Sequence, residues 1–111
     1  MSKNYPEITS RLSKELAALG KASPETLKGF QSLIDTTNGD GVLDNKTKEL
    51  IALAIGITQH CDGCIGFHTK KFKALGGTSQ ELSEMLNVCI YMGGGPALMY
   101  AADAFEAYQQ Y

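Results

Sequence analysis

The stretch Leu50-Ile51-Ala52-Leu53-Ala54-Ile55-Gly56-Ile57 is apolar on nearly every side of a helix, and it constrains the fold more than any other feature. A helix without a polar face belongs at the centre of an assembly of helices. It is far too short to span a bilayer, so protein must cover it. Asp44 is placed to cap the helix that carries it. With 111 residues, 43% of them hydrophobic, and no low-complexity tract, the chain is expected to form one domain over 1–111. A domain this small covers such a helix more easily when subunits pack on one another, which points to an oligomer.

The remaining pattern is helical as well. Ile8, Leu12, Leu16 and Leu19 recur at helical spacing and predict a first helix over about 5–19, with Gly20 as its stop. Ser23 as N-cap, Pro24 and Glu25 open a second, carried by Leu27, Phe30, Leu33 and Ile34 to about Thr37. The apolar helix is third. The fourth holds two cysteines and a histidine and ends at Leu75-Gly76-Gly77, with Lys70, Lys71 and Lys73 near its negative pole. Thr78 and Glu81 form a capping box for a fifth, with Leu82, Met85, Leu86 and Cys89 inward. Gly93-Gly94-Gly95-Pro96 then breaks the pattern, and Pro96 starts a sixth with Met99, Ala102 and Phe105 at helical spacing. No stretch reads as a strand. The expectation is an all-α domain of about six helices.

Several classes of function are set aside by composition. A formal net charge of −2 leaves no basic stripe for nucleic acid. The start, Met1-Ser2-Lys3-Asn4-Tyr5-Pro6-Glu7, lacks the apolar run of a signal peptide, and a cytoplasmic protein is expected. Asp35 to Gly41 resembles a calcium loop only superficially. With Gly41 at the sixth position, Thr47 falls at the twelfth, where a bidentate Glu is required. The glycines at 93–95 lack the order of a phosphate loop and read as a tight junction between helices.

The chemistry concentrates in Gln59-His60-Cys61-Asp62-Gly63-Cys64-Ile65-Gly66-Phe67-His68. At about 100° per residue, Cys61, Cys64 and His68 return to nearly the same side of a helix. Three cysteines are too few for a secreted disulfide framework, so the pair reads as redox or metal chemistry. Cys89, between Val88 and Ile90, reads as a small buried hydrophobe. A cysteine opening helix 4 meets first-turn N–H groups and the positive helix end, which favour the thiolate. Adjacent turns also allow the two sulfurs to join. His68 can exchange a proton with a thiol or with water, against the plainer role of a surface histidine. Glu49 is either an inward carboxylate seeking a partner such as His68 or a solvated residue beside Lys46.

The arrangement Glu49, eleven residues, Cys61-x-x-Cys64, three residues, His68 resembles the motif of the AhpD-like alkylhydroperoxidases of the carboxymuconolactone decarboxylase family. The resemblance covers about residues 25–110. It implies an all-α fold, homotrimers or homohexamers, and reduction of hydroperoxides with electrons from a dithiol protein partner, without a cofactor or metal. By the same resemblance Cys64 attacks the peroxide, Cys61 resolves and meets the reductant, and Glu49 with His68 relays protons. One position departs. The best-characterised members resemble Cys-x-His-Cys, and Gly63 stands where that histidine would be; His60 is the candidate auxiliary base, or simply an exposed loop residue.

Other readings use the same residues. His60, Cys61, Cys64 and His68 are zinc-compatible ligands, but structural zinc usually joins two separated ligand pairs. A c-type haem is excluded because Ile65 follows Cys64, and a thioredoxin-like CxxC belongs to a βαβ setting. The resemblance also implies that γ-carboxymuconolactone decarboxylases share the fold without working through a CxxC pair, so the cysteines argue against that activity. A disulfide oxidoreductase, a redox sensor and a scaffold with idle cysteines are the remaining alternatives.

Overall fold

The computed structural model describes residues 2–111, and its described elements are all helical. They are α1 (Tyr5–Ala22), α2 (Pro24–Thr37), α3 (Asn45–Thr58), α4 (Asp62–Ala74) and α5 (Ser79–Gln110). Most boundaries follow local chemistry. Asp44 accepts from the Thr47 amide at 2.7 Å, and Thr78 and Glu81 complete their reciprocal box at 3.1 and 2.9 Å. Ser23 sits at the N-cap of α2 but makes no side-chain cap bond. Its N–H closes α1 on the Leu19 carbonyl at 2.8 Å, while its own carbonyl accepts from Leu27 at 3.2 Å. α1 therefore runs through Gly20, whose helical cost of about 1 kcal/mol is small, and stops where Pro24 dictates.

The expected fifth and sixth helices form one element, α5, sharply bent at Gly94, where φ is 71° and ψ −152°. That left-handed φ is one that glycine adopts without penalty. A straight helix of 32 residues would be about 48 Å long, more than the 41 Å extent of the whole molecule. The arms instead fold back, so that Tyr108 near the end donates to the carbonyl of Gly77, just before the start, at 2.9 Å. Close approach explains which residues go inward after the bend. Ala97, Ala101, Ala104 and Ala107 are buried, whereas Met99, Ala102 and Phe105 of the expected periodic set face outward.

α3, α4 and α5 enclose the core, in which Leu53, Ile57, Ile65, Phe72 and Leu82 are fully buried. Full burial of such side chains contributes roughly 1.5–3 kcal/mol each. The apolar α3 is central as expected on its Leu53 and Ile57 side, while Ile51 and Ile55 remain about half exposed. α1 lies on α4 and inserts Tyr5 into the core. α2 buries no residue and packs only against α1. Leu27, Phe30, Leu33 and Ile34 thus give α2 an apolar stripe that the single chain leaves largely uncovered. No helix is long and apolar enough to cross a membrane among the described residues.

Candidate functional site

The turn between α3 and α4 brings the sequence-selected residues together. Cys61 is the N-cap of α4, and its sulfur accepts from the Cys64 amide at 3.1 Å. The two cysteines are joined as a disulfide, with Cα atoms 5.2 Å apart. Both are partly buried. Behind Cys64 lies the backbone of α3: a Cβ on Gly56 would sit 2.8 Å from the Cys64 Cβ, so the glycine admits the cysteine. At the position before Cys64, a Cβ on Gly63 would come within 2.7 Å of Leu12 Cδ1. α1 thus covers the position where the resembled motif carries its additional histidine.

One turn beyond Cys64, His68 Nδ1 meets Glu49 Oε2 at 2.6 Å. Glu49 is 1% exposed, which removes it from the solvated role beside Lys46; Lys46 pairs with Glu81 at 2.7 Å instead. The other carboxylate oxygen, Oε1, lies 3.0 Å from Lys71 Nζ. Burial pushes the Glu49 carboxyl up, but the bonds from His68 and Lys71 outweigh it and hold the group below the ordinary carboxylate range. Lys71 was legible in the sequence only as one of three cations near the helix C-terminus. Its spacing of three residues from His68 places both on one face of α4, the signal that would have found it.

His60 takes a different direction. It occupies the left-handed region at φ 56° and stacks its ring on Tyr100, with centroids 4.3 Å apart and planes inclined by 3°. The Tyr100 ring also carries Lys3 Nζ, 4.9 Å from its centroid, and Lys3 in turn bridges Asp62 and Asp103 at 2.9 and 2.8 Å. The four zinc-compatible donors do not converge: the sulfurs bond to each other, His60 lies on Tyr100 and His68 on Glu49. Cys89 is buried as a small hydrophobe beside Met85, and burial raises its thiol pKa.

A cleft of about 420 Å³ separates α2 from α4. Phe30, Leu33, Ile34 and Phe67 supply its apolar walls, and His68 and Lys71 its polar edge. The same imidazole therefore faces a buried carboxylate on one side and an open apolar cleft on the other.

Comparison with known proteins agrees with this architecture. The model of the carboxymuconolactone decarboxylase family matches residues 24–107, and the chain belongs to that family. A crystal structure of an apo carboxymuconolactone decarboxylase family protein from Legionella pneumophila superposes with a TM-score of 0.94 at 47% identity, covering 98% of this chain and 97% of that one. An uncharacterised protein of Cupriavidus necator is 38% identical over 95 residues, 86% of this chain and 84% of its own length. Another, of Haemophilus influenzae, is 36% identical over 108 residues, 97% of this chain and 96% of its own.

Proposed function

We propose that the protein is an AhpD-like thiol peroxidase that reduces organic hydroperoxides through Cys61 and Cys64. The observation that carries this reading is the Glu49–His68 pair set one helical turn from a disulfide-bonded CxxC. The two thiols have separate means of activation. The Cys64 amide supports a thiolate on Cys61, and in this reading His68, one helical turn on, takes the Cys64 proton.

In the oxidative half-reaction the Cys64 thiolate attacks the outer peroxide oxygen. The O–O bond breaks, Cys64 becomes a sulfenic acid, and the alkoxide takes the proton held by His68. Cys61 releases its proton to solvent and attacks the sulfenic sulfur as a thiolate; the S–O bond breaks, the departing hydroxide regains a proton from solvent and leaves as water, and the disulfide forms. A dithiol protein attacks Cys61, releases Cys64 and, through its second thiol, leaves with the disulfide. The cycle consumes two electrons per peroxide. It requires a compartment with a dithiol donor, in keeping with a cytoplasmic location.

The cleft beside His68 favours a hydroperoxide with an apolar body over hydrogen peroxide. The exposed side chains of Val88, Tyr91, Met92, Met99 and Phe105 on α5 support assembly as a homotrimer or homohexamer, which sedimentation equilibrium would establish. The decisive experiment is dithiol-driven peroxide consumption combined with mass spectrometry after one equivalent of peroxide. Loss of two hydrogens localised to Cys61 and Cys64, and abolished turnover in Cys64→Ser, are expected; undiminished turnover in that variant defeats the mechanism. The Cys61 N-cap equally suits plain disulfide exchange, so a protein that oxidises dithiols but ignores peroxides is a disulfide oxidoreductase or sensor instead.

A further inference from the structure

Glu49 has more positive partners than a simple carboxylate–imidazole relay requires. Each of its oxygens engages a different group of α4, Oε2 with His68 Nδ1 and Oε1 with Lys71 Nζ. The carboxylate side chain is 2% exposed, whereas those of His68 and Lys71 are 35% and 40% exposed.

We propose that Lys71 is a positioning residue that serves as the standing counter-ion of Glu49, and thereby leaves His68 free to act as a base. The argument follows from charge. A buried carboxylate whose sole partner is an imidazole stabilises the imidazolium, because an opposite charge within hydrogen-bond distance favours the charged form. An imidazole held in that state cannot accept a proton from a thiol. The Lys71 ammonium, 3.0 Å from Oε1, compensates the carboxylate whatever the imidazole carries. His68 then keeps Nδ1–H on Glu49 by the tautomer the pairing selects, and Nε2 remains an open acceptor.

Among the described residues the neighbouring cations are engaged or directed elsewhere: on α4, Lys70 lines a separate cleft against α1, and Lys73 donates to the Tyr108 carbonyl at 2.9 Å. On α3, Lys46 is held by Glu81 of α5, and Lys48 donates to the Thr37 carbonyl at 2.8 Å. The α2 side of the cleft contributes Phe30, Leu33, Ile34 and Thr37, none of them charged. Lys71 thus separates two tasks that a two-residue relay would merge, holding the carboxylate ionised and moving the proton.

The inference rests on the proton-relay reading above, but its test does not depend on turnover. NMR titration of the His68 ring in reduced full-length protein, carried on a Cys64→Ser background without peroxide, should give a midpoint about one unit higher in Lys71→Met, equivalent to roughly tenfold tighter proton binding. Lys71→Arg should restore the original midpoint, and Lys71→Gln provides a second neutral variant should the methionine perturb folding. A His68 midpoint that stays in place or falls when Lys71 is neutralised overturns the proposal. A purely structural lysine would lower protein stability without moving the His68 midpoint.

Discussion

α4 and α2 have similar lengths and stand on opposite sides of one cleft, yet α4 buries Ile65, Gly66, Thr69 and Phe72 while α2 buries nothing. Both have apolar residues at helical spacing, so the difference lies in what each helix meets. α4 is held by α1, α3 and α5; α2 is held only by α1. The candidate site residues Cys64 and His68 belong to the surrounded helix, and the apolar wall facing His68 belongs to the less supported one. Rigid support on one side and adaptable coverage on the other would suit the thiol chemistry proposed above.

The contrast can be broken first in the core. Leu53→Ala, beneath α4, should cost about 3 kcal/mol in urea unfolding, whereas the matched change Leu33→Ala on α2 should cost less than about 0.5 kcal/mol; similar losses would show that α2 is an integral part of the fold. Next comes Glu49→Gln, expected to cost about 2 kcal/mol by leaving Lys71 and His68 without their shared anion, moderated because both reach water. Its sign with pH is fixed by the lowered Glu49 carboxyl. The native group binds its proton less tightly than the unfolded one, so its stabilisation is complete above the ordinary value of 4.5 and disappears as pH falls through the lower native value. Acid titration of stability should therefore be flatter in Glu49→Gln than in the parent. Smaller still, Thr78→Ala should cost about 1 kcal/mol by opening the capping box of α5, read as a shift in urea midpoint with an unchanged slope.

Features set by neighbouring residues could be read directly from the chain. Asp44, Cys61 and Thr78 cap the helices expected of them, since a cap depends on an amide two or three residues away. The Glu49–His68 pairing was legible as a possibility because a carboxylate turned into an apolar helix surface needs a partner. Long-range geometry was harder to read. Nothing local shows that the arms of α5 fold together through alanines and leave Met99 outward, or that Phe30 and Leu33 lack a covering helix. Lys71 was hidden for a related reason: a lysine near a helix C-terminus already has a local explanation, and only the fold reveals the carboxylate it meets.

The Leu12–Gly63 contact makes the missing motif histidine a question of architecture as well as chemistry. An imidazole at position 63 would meet the flexible tip of Leu12, which would have to give way for the added Cβ to fit. A side chain there would therefore be gained against the fit of α1 on α4, and a smaller residue at Leu12 would relieve that conflict.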